Sequence, residues 1–303
     1  RAETQFDDSV DIYAPEVYQK AHDMLWDMIA KGDFIRDKKS CYYIYELTMN
    51  GRTQTGITAC ASIDDYENNV IKKHENTRAE KELDRIRHVD ICDAQTGPIF
   101  LAYRDNAAIT AIVNKIKTQD VEYDFTSPDG IRHRVWVIGE AGDIAAIRKA
   151  FADIDQLYIA DGHHRAASAV KVGEKRRNEH PGYTGEEEFN FFLSVLFPES
   201  ELKILDYNRV VKDLNGMTED AFLQKIKEIF EVSELIAKDK HPQEKGTFSM
   251  YLKERWYTCK VRPEDQSEDP VKGLDVSLLQ NLIRNYQDRV DLLQQELGQY
   301  KSE

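Results

Sequence analysis

The spacing of apolar residues predicts a helix and then a β-hairpin in the N-terminal part of the chain. Apolar positions at helical spacing run from Pro15 to about Lys31, with Pro15 suited to a first turn and Gly32 to a stop. The apolar stripe consists of Val17, Ala21, Leu25 and Met28. The β-prone runs Cys41–Met49 and Arg52–Ile63 follow, joined by Asn50-Gly51, a dipeptide that favours a type I′ turn.

Strand-like and helix-like patterns alternate along the rest of the chain. The predicted strands are Pro98–Tyr103, Val121–Thr126, Ile131–Ile138, Leu157–Ile159, Phe191–Phe197 and Leu202–Val211, with a second hairpin at Thr247–Val261. The predicted helices are Ala107–Lys117, Asp143–Ala152, Ala166–Val172, Thr218–Phe230 and Leu279–Tyr300. The polar stretch from Asp64 to His88 is also helix-forming, with a break near Asn76-Thr77. These elements predict an α+β fold in which helices flank mixed sheets.

The chain length of 303 residues allows about two domains or one elaborated unit. There are no internal repeats and no low-complexity linker. We therefore predict one elaborated α+β unit over residues 1–303, in which residues 40–200 carry the functional site and residues 201–303 form a C-terminal subdomain. Because the first residue is Arg1 rather than Met, we expect the sequence to be part of a longer protein.

The charge indicates which binding partners to expect, and the cysteines indicate the cellular compartment. With 41 Lys and Arg against 55 Asp and Glu, the net charge is −14, which disfavours broad binding to nucleic acids or anionic membranes but permits one local anion site. No apolar run approaches the length that spans a membrane. The four cysteines include no Cys-x-x-Cys pair. Four reduced thiols in a cytoplasmic protein are therefore expected.

The segment from Asp161 to Arg165 contains more candidate functional side chains than any other short stretch of the sequence. It places an anion, a glycine, two imidazoles (His163 and His164) and a guanidinium between an apolar strand and an alanine-rich helix. A helix N-terminus attracts anions, Gly162 permits close approach, and Arg165 can bind phosphate oxygens through two donors. Two other interpretations stay open: Asp161 caps the helix while the histidines form core hydrogen bonds, or the histidines bind a metal.

A second candidate segment lies upstream and is basic in an otherwise acidic chain. In it, Glu75 is a candidate general base. The candidate anion-binding side chains are Lys73, His74, Arg78, Lys81 and Arg85. The alternative is a solvated helix face with ion pairs such as Lys81 with Asp84 and Glu82 with Arg85. The sequence contains neither a P-loop, nor a dinucleotide-binding glycine motif, nor a nucleophile elbow.

Several of these segments together resemble the bacterial domain-of-unknown-function 1015 family, from about Asp11 to Gln280. The segments that carry the resemblance are Thr48–Arg52, Ile71–Arg85, Ala94–Pro98, Tyr158–Arg165 and Tyr207–Val211. The Asp-Gly-His-His-Arg element in turn resembles that of ParB/sulfiredoxin-like proteins, which include free-serine kinases that use a nucleotide as phosphoryl donor.

The resemblance implies a ParB/sulfiredoxin-like core and a nucleotide-dependent phosphotransferase acting on a small hydroxyl metabolite such as free serine. The phosphates of ATP or ADP would be held by Gly162, His163, His164 and Arg165. Asp161 would orient the substrate or Mg²⁺, and no other residue is assigned to a metal. Glu75 would act as the base.

Two other functions remain open at this point. One is a non-catalytic, nucleotide- or DNA-associated ParB-like module, although the net charge disfavours nucleic acid. The other is a metal-dependent hydrolase that uses His74, His163 and His164. A homo-oligomer could form through the predicted helix Leu279–Tyr300, which could equally pack on its own domain.

Overall fold

The computed structural model describes residues 2–75, 79–206 and 208–283, which form two compact units divided between Lys203 and Ile204. The strands of the first unit are β1 Tyr42–Met49, β2 Arg52–Ser62, β3 Ile71–Lys72, β4 Ile99–Tyr103, β5 Tyr123–Thr126, β6 Arg132–Ile138, β7 Leu157–Asp161 and β8 Phe191–Pro198. Its helices are α1 Pro15–Lys31, α2 Ile63–Glu67, α3 Ala79–Cys92, α4 Ala107–Ile116, α5 Ala141–Ala152 and α6 His163–Glu179.

The eight strands of the first unit form one mixed sheet in the order β3-β7-β4-β8-β2-β1-β6-β5. The pairs β3/β7 and β4/β8 are parallel, and the other neighbours are antiparallel. The prediction of an α+β fold with a mixed sheet and flanking helices is therefore confirmed. The arrangement also places the C-terminal ends of β3 and β7 beside the N-terminal end of β4.

The predicted hairpin is confirmed, and a buried ion cluster lies on it. Asn50 and Gly51 both have positive φ, as a type I′ turn requires. The buried carboxylate of Glu46 on β1 pairs with Lys117 and Arg134, and the hydroxyl of Thr55 donates to it at 2.9 Å. Burial alone would raise the pKa of Glu46, but these hydrogen bonds and charges hold it below its usual value.

Small side chains let α6 pack closely against the sheet. Ala166, Ala169 and Val170 on the helix join sheet residues in one hydrophobic core. The sheet residues of that core include Ile44, Ile57, Ile99, Leu101, Ile159 and Phe192. Further along α6, Gly173 is buried against the backbone of Phe189. Packing this close leaves no space for a larger side chain at Gly173.

The second unit contains α7 Glu219–Ile229 and a three-stranded antiparallel sheet of β9 Phe230–Glu234, β10 Thr247–Leu252 and β11 Arg255–Val261. As predicted, a helix follows Thr218, whose hydroxyl accepts the N–H of Ala221 at 3.2 Å. The predicted second hairpin is also confirmed, and its turn residues Lys253 and Glu254 both have positive φ.

Two of the predicted elements are wrong. Leu202–Val211 forms no strand at its described positions, where Ile204 and Val210 are 97% and 98% exposed. Its apolar residues have strand propensity, but they pair with no neighbouring strand. The stretch Asp64 to His88 is not continuously helix-forming, because β3 pairs with β7 between α2 and α3.

Some predictions fall partly outside the described residues. The break near Asn76-Thr77 lies outside them, and the closing helix Leu279–Tyr300 can be followed only as helical structure over residues 275–283. All four cysteines are free thiols, as expected. Among the described helices, none combines the length and hydrophobicity that crossing a bilayer requires.

The close packing of α6 predicts the effect of adding one methyl group. In Gly173→Ala, the new Cβ would lie 2.5 Å from the carbonyl oxygen of Phe189 and 2.8 Å from Cδ1 of Ile63. We expect the free energy of unfolding to fall by about 1–3 kcal/mol, the usual range for overpacking. Urea unfolding measures this change.

The matched control is Gly182→Ala, where no heavy atom lies within 4 Å of the added Cβ. Its free energy of unfolding should stay within about 0.5 kcal/mol of the wild-type value. If the two variants unfold at the same urea concentration, α6 does not approach Phe189 and Ile63 as closely as described.

Candidate functional site

The turn between β7 and α6 leads from strand to helix through a single residue. Asp161 ends β7 opposite Phe100 on β4, next to a shift in the strand register. Gly162 follows in the left-handed region, with φ of 95°, and α6 begins at His163. A Cβ on Gly162 would lie 2.9 Å from Nη2 of Arg165. The turn therefore requires glycine both for its backbone conformation and for space.

The N-terminus of α6 has no side-chain cap. The N-cap is Gly162, which has no side chain, so the proposed capping role of Asp161 is wrong. Asp161 instead accepts a hydrogen bond from Nη2 of Arg165, in the first turn of α6, at 2.8 Å. Uncapped backbone N–H groups and the helix dipole make this end of α6 favourable for anions.

The segment of residues 94–98, which precedes β4, lies beside Arg165. An ideal Cβ on Gly97 would lie 3.4 Å from Nη1 of Arg165, so the guanidinium is close to both Gly97 and Gly162. The segment is anchored by Gln95, whose Nε2 donates to the carbonyl of Phe191 at 3.1 Å. Gly97 is not among the site residues predicted from the sequence, although the Gly-Pro dipeptide directly before a strand is a signal that could have indicated it.

His163 is buried at the start of α6, with 6% of its surface exposed. Its Nε2 accepts the backbone N–H of His74 at 3.5 Å, and its Nδ1 lies 3.5 Å from Oε2 of Glu75. The His74 ring meets it edge-on, with 4.3 Å between ring centroids. Because an accepting Nε2 carries no proton, the neutral ring has its proton on Nδ1, facing the carboxylate.

The electrostatics of His163 favour the same neutral form. Burial lowers its pKa from the ordinary value of 6.5, and the neighbouring His74 acts in the same direction. Glu75 and Asp161 act in the opposite direction, and they are the weaker influences. A buried imidazole with this environment is uncharged at neutral pH.

His164 differs from His163 in its surroundings. It is partly exposed, and its Nδ1 is buried without a hydrogen-bond partner among the described residues. Its backbone carbonyl accepts a hydrogen bond from Oγ of Ser168 at 2.6 Å. Because this nitrogen has no exposed surface, it offers no contact to a ligand that approaches the start of α6.

The other predicted anion-binding residues are only partly brought to this turn. Lys73 precedes His74, and its Nζ lies 4.0 Å from the ring centroid of Tyr66 in a cation–π contact. Lys81 and Arg85 are exposed on α3, and the described structure records no contact that joins them to the turn. Arg78 lies outside the described residues.

The two predicted ion pairs on α3 are replaced by others. Arg85 lies 3.8 Å from Asp84, and Glu82 pairs with Lys171 on α6. The reason is tertiary packing: Glu82 is buried on the side of α3 that contacts α6, where Oγ of Ser168 also donates to its carbonyl at 3.3 Å. Glu82 therefore forms its ion pair with a residue of the neighbouring helix rather than with one of its own helix.

A metal-binding arrangement of three side chains is not present in the described ranges. No group of three His, Cys, Asp or Glu residues there could hold an ion. His163 faces His74 and Glu75 with its two ring nitrogens, which leaves neither free for a metal. The proposed ligand set of His74, His163 and His164 therefore receives no support from the geometry.

The lowered pKa of His163 predicts how stability depends on pH. A group whose pKa is depressed in the folded state contributes its full stability above the unfolded pKa, here 6.5, and loses it as pH falls through the folded pKa. Between pH 7.5 and 5, wild-type protein should therefore lose more unfolding free energy than His163→Asn. The difference is at most about 1.4 kcal/mol per pH unit. Urea unfolding at several pH values measures it, and identical pH profiles would contradict a buried, neutral His163.

Comparison with known proteins places the chain in a family. Residues 1–277 match the family described as "Protein of unknown function (DUF1015)". A search of curated proteins and a search of solved structures each found no match. The matched range includes the described core of the first unit and every residue of the candidate site. The chain therefore belongs to the DUF1015 family.

Proposed function

We propose that this protein is a nucleotide-dependent phosphotransferase that acts on a small hydroxyl metabolite, with free serine as the first candidate. One observation carries the proposal. Residues 73–75, 94–98 and 161–165 are distant in sequence, and they meet at the uncapped N-terminus of α6. The proposal includes a ParB/sulfiredoxin-like core formed by the sheet and α6.

The phosphate-binding side of the proposed site consists of the N-terminus of α6, Gly162 and Arg165. The helix end offers N–H donors, and the missing Cβ of Gly162 lets the guanidinium of Arg165 lie against the turn. Arg165 is 40% exposed at its side chain and can exchange its partner Asp161 for phosphate oxygens. These features fit the phosphates of ATP or ADP.

A divalent cation fits this site through one carboxylate. Asp161 is exposed, and Mg²⁺ in nucleotide sites is commonly held by one or two carboxylates together with phosphate oxygens. When bound, Mg²⁺ supplies neutralisation of phosphate charge. Asp161 is thus the residue of this chain that would hold it.

The proton-accepting side consists of Glu75. Its carboxylate is 65% exposed, so a hydroxyl substrate can reach it, while one oxygen faces His163. In the proposed reaction the substrate oxygen bonds to phosphorus, the bond from phosphorus to the departing nucleotide breaks, and the hydroxyl proton passes to Glu75. Positioning and charge stabilisation provide the rest of the catalysis.

Arg165→Ala should weaken nucleotide binding. Losing a charge-assisted contact to phosphate costs about 1.5–3 kcal/mol, which is roughly 10- to 100-fold in the dissociation constant. Titration calorimetry of the full chain with ATP or ADP and Mg²⁺ measures the change. The matched control is Arg104→Ala, since Arg104 is also exposed and carboxylate-paired but follows β4 at the opposite end of the sheet. Equal affinities for both variants would contradict the assigned phosphate site.

Glu75→Gln should lower phosphoryl transfer while leaving nucleotide affinity unchanged. Removing a general base costs about 10²- to 10⁴-fold in rate. Mass spectrometry detects the phosphorylated product in a panel of hydroxyl amino acids and small alcohols, and Glu80→Gln, an exposed carboxylate on α3, is the control. A wild-type chain that neither binds nucleotide nor phosphorylates any member of the panel would overturn the proposed function.

A further inference from the structure

One imidazole ring holds two consecutive residues of the loop that follows β3. The Nε2 atom of His163 accepts the backbone N–H of His74, and its Nδ1 faces the carboxylate of Glu75. The His74 ring also packs edge-on against it. Since β3 is parallel to β7, this loop extends beside the end of β7 and reaches the start of α6.

The same contacts argue against the phosphate-binding role that the family resemblance implies for His163. Its side chain is 5% exposed, and both ring nitrogens face residues of the β3 loop. Arg165, in contrast, has a side chain that is 40% exposed, and its guanidinium lies beside Gly97 and Gly162. His163 therefore points away from the surface that offers phosphate contacts.

We propose that His163 is a positioning residue that orients the carboxylate of Glu75 and fixes the backbone of His74, and that it does not contact phosphate. This inference rests on the proposed function, in which Glu75 accepts the substrate proton. A donor on Nδ1 restricts the rotation of the Glu75 carboxylate, and the His74 contact restricts the loop that carries it. Proton transfer depends on such positioning, because a displacement of about 1 Å can cost about 100-fold in rate.

The arrangement requires a neutral ring. Protonation at Nε2 would place an N–H against the N–H of His74, which would break that hydrogen bond. The titratable groups that face His163 are His74 and Glu75 from the β3 loop, Asp161 from β7 and His164 from α6.

The test compares His163→Asn with His163→Leu in the full chain. Asparagine keeps an N–H donor near the position of Nδ1, whereas leucine fills the space without one. For His163→Leu we expect kcat to fall about 100-fold. For His163→Asn the loss should be less than about 10-fold, because the donor is retained.

Both variants should keep the nucleotide dissociation constant within about twofold, a difference below 0.5 kcal/mol. The matched control is His88→Leu, at a half-buried histidine on α3.

Nitrogen NMR gives a readout that needs no turnover. At pH 7.5 the His163 ring should be the neutral tautomer with its proton on Nδ1, and Glu75→Gln should shift the Nδ1 signal. A proton on Nε2, or a loss of nucleotide affinity in His163→Leu as large as in Arg165→Ala, would overturn the proposal. If the expected tautomer and shift are found but no phosphate is transferred, the proposed function fails and the pairing of His163 with Glu75 stands.

Discussion

The close packing of α6 against the eight-stranded sheet is the constraint on which the rest of the site depends. Ala166 and Ala169 keep the helix near the sheet, and the chain passes from β7 to α6 through Gly162 alone. Because the connection is so short, the first helical turn lies directly beside the strand ends. Larger side chains on this face would move the helix outward and separate its N-terminus from those ends.

The mixed strand directions decide which segments meet there. As β3 is parallel to β7, the loop that leaves β3 emerges at the same end of the sheet as the turn after β7. As β4 is antiparallel to β7, the segment that enters β4 reaches that end as well. A wholly parallel or wholly antiparallel arrangement of these three strands would move at least one of the segments to the opposite end of the sheet.

Local signals made much of the fold predictable, whereas contacts between distant residues could not be predicted. The helix Pro15–Lys31, the hairpin at Asn50-Gly51 and the strand–glycine–helix transition after Ile159 each depend on neighbouring residues. The two-residue strand β3 exists only because β7 lies beside it, and periodicity cannot reveal so short a strand. The contact between Glu75 and His163 depends on this pairing, so the sequence indicated both residues but not their relation.

The pair formed by Asp161 and Arg165 means that the turn already contains an anion of its own. A ligand that takes the Nη2 donor of this guanidinium must replace a carboxylate that is hydrogen-bonded to it at 2.8 Å. Only the difference between two ionic contacts then contributes to affinity, so weakly bound monovalent ions such as chloride gain little. Groups with several charged oxygens gain more, because they can engage the guanidinium and the helix end at once. In the proposed site, Asp161 would therefore compete with incoming anions for Arg165, and only anions with several charges would bind there.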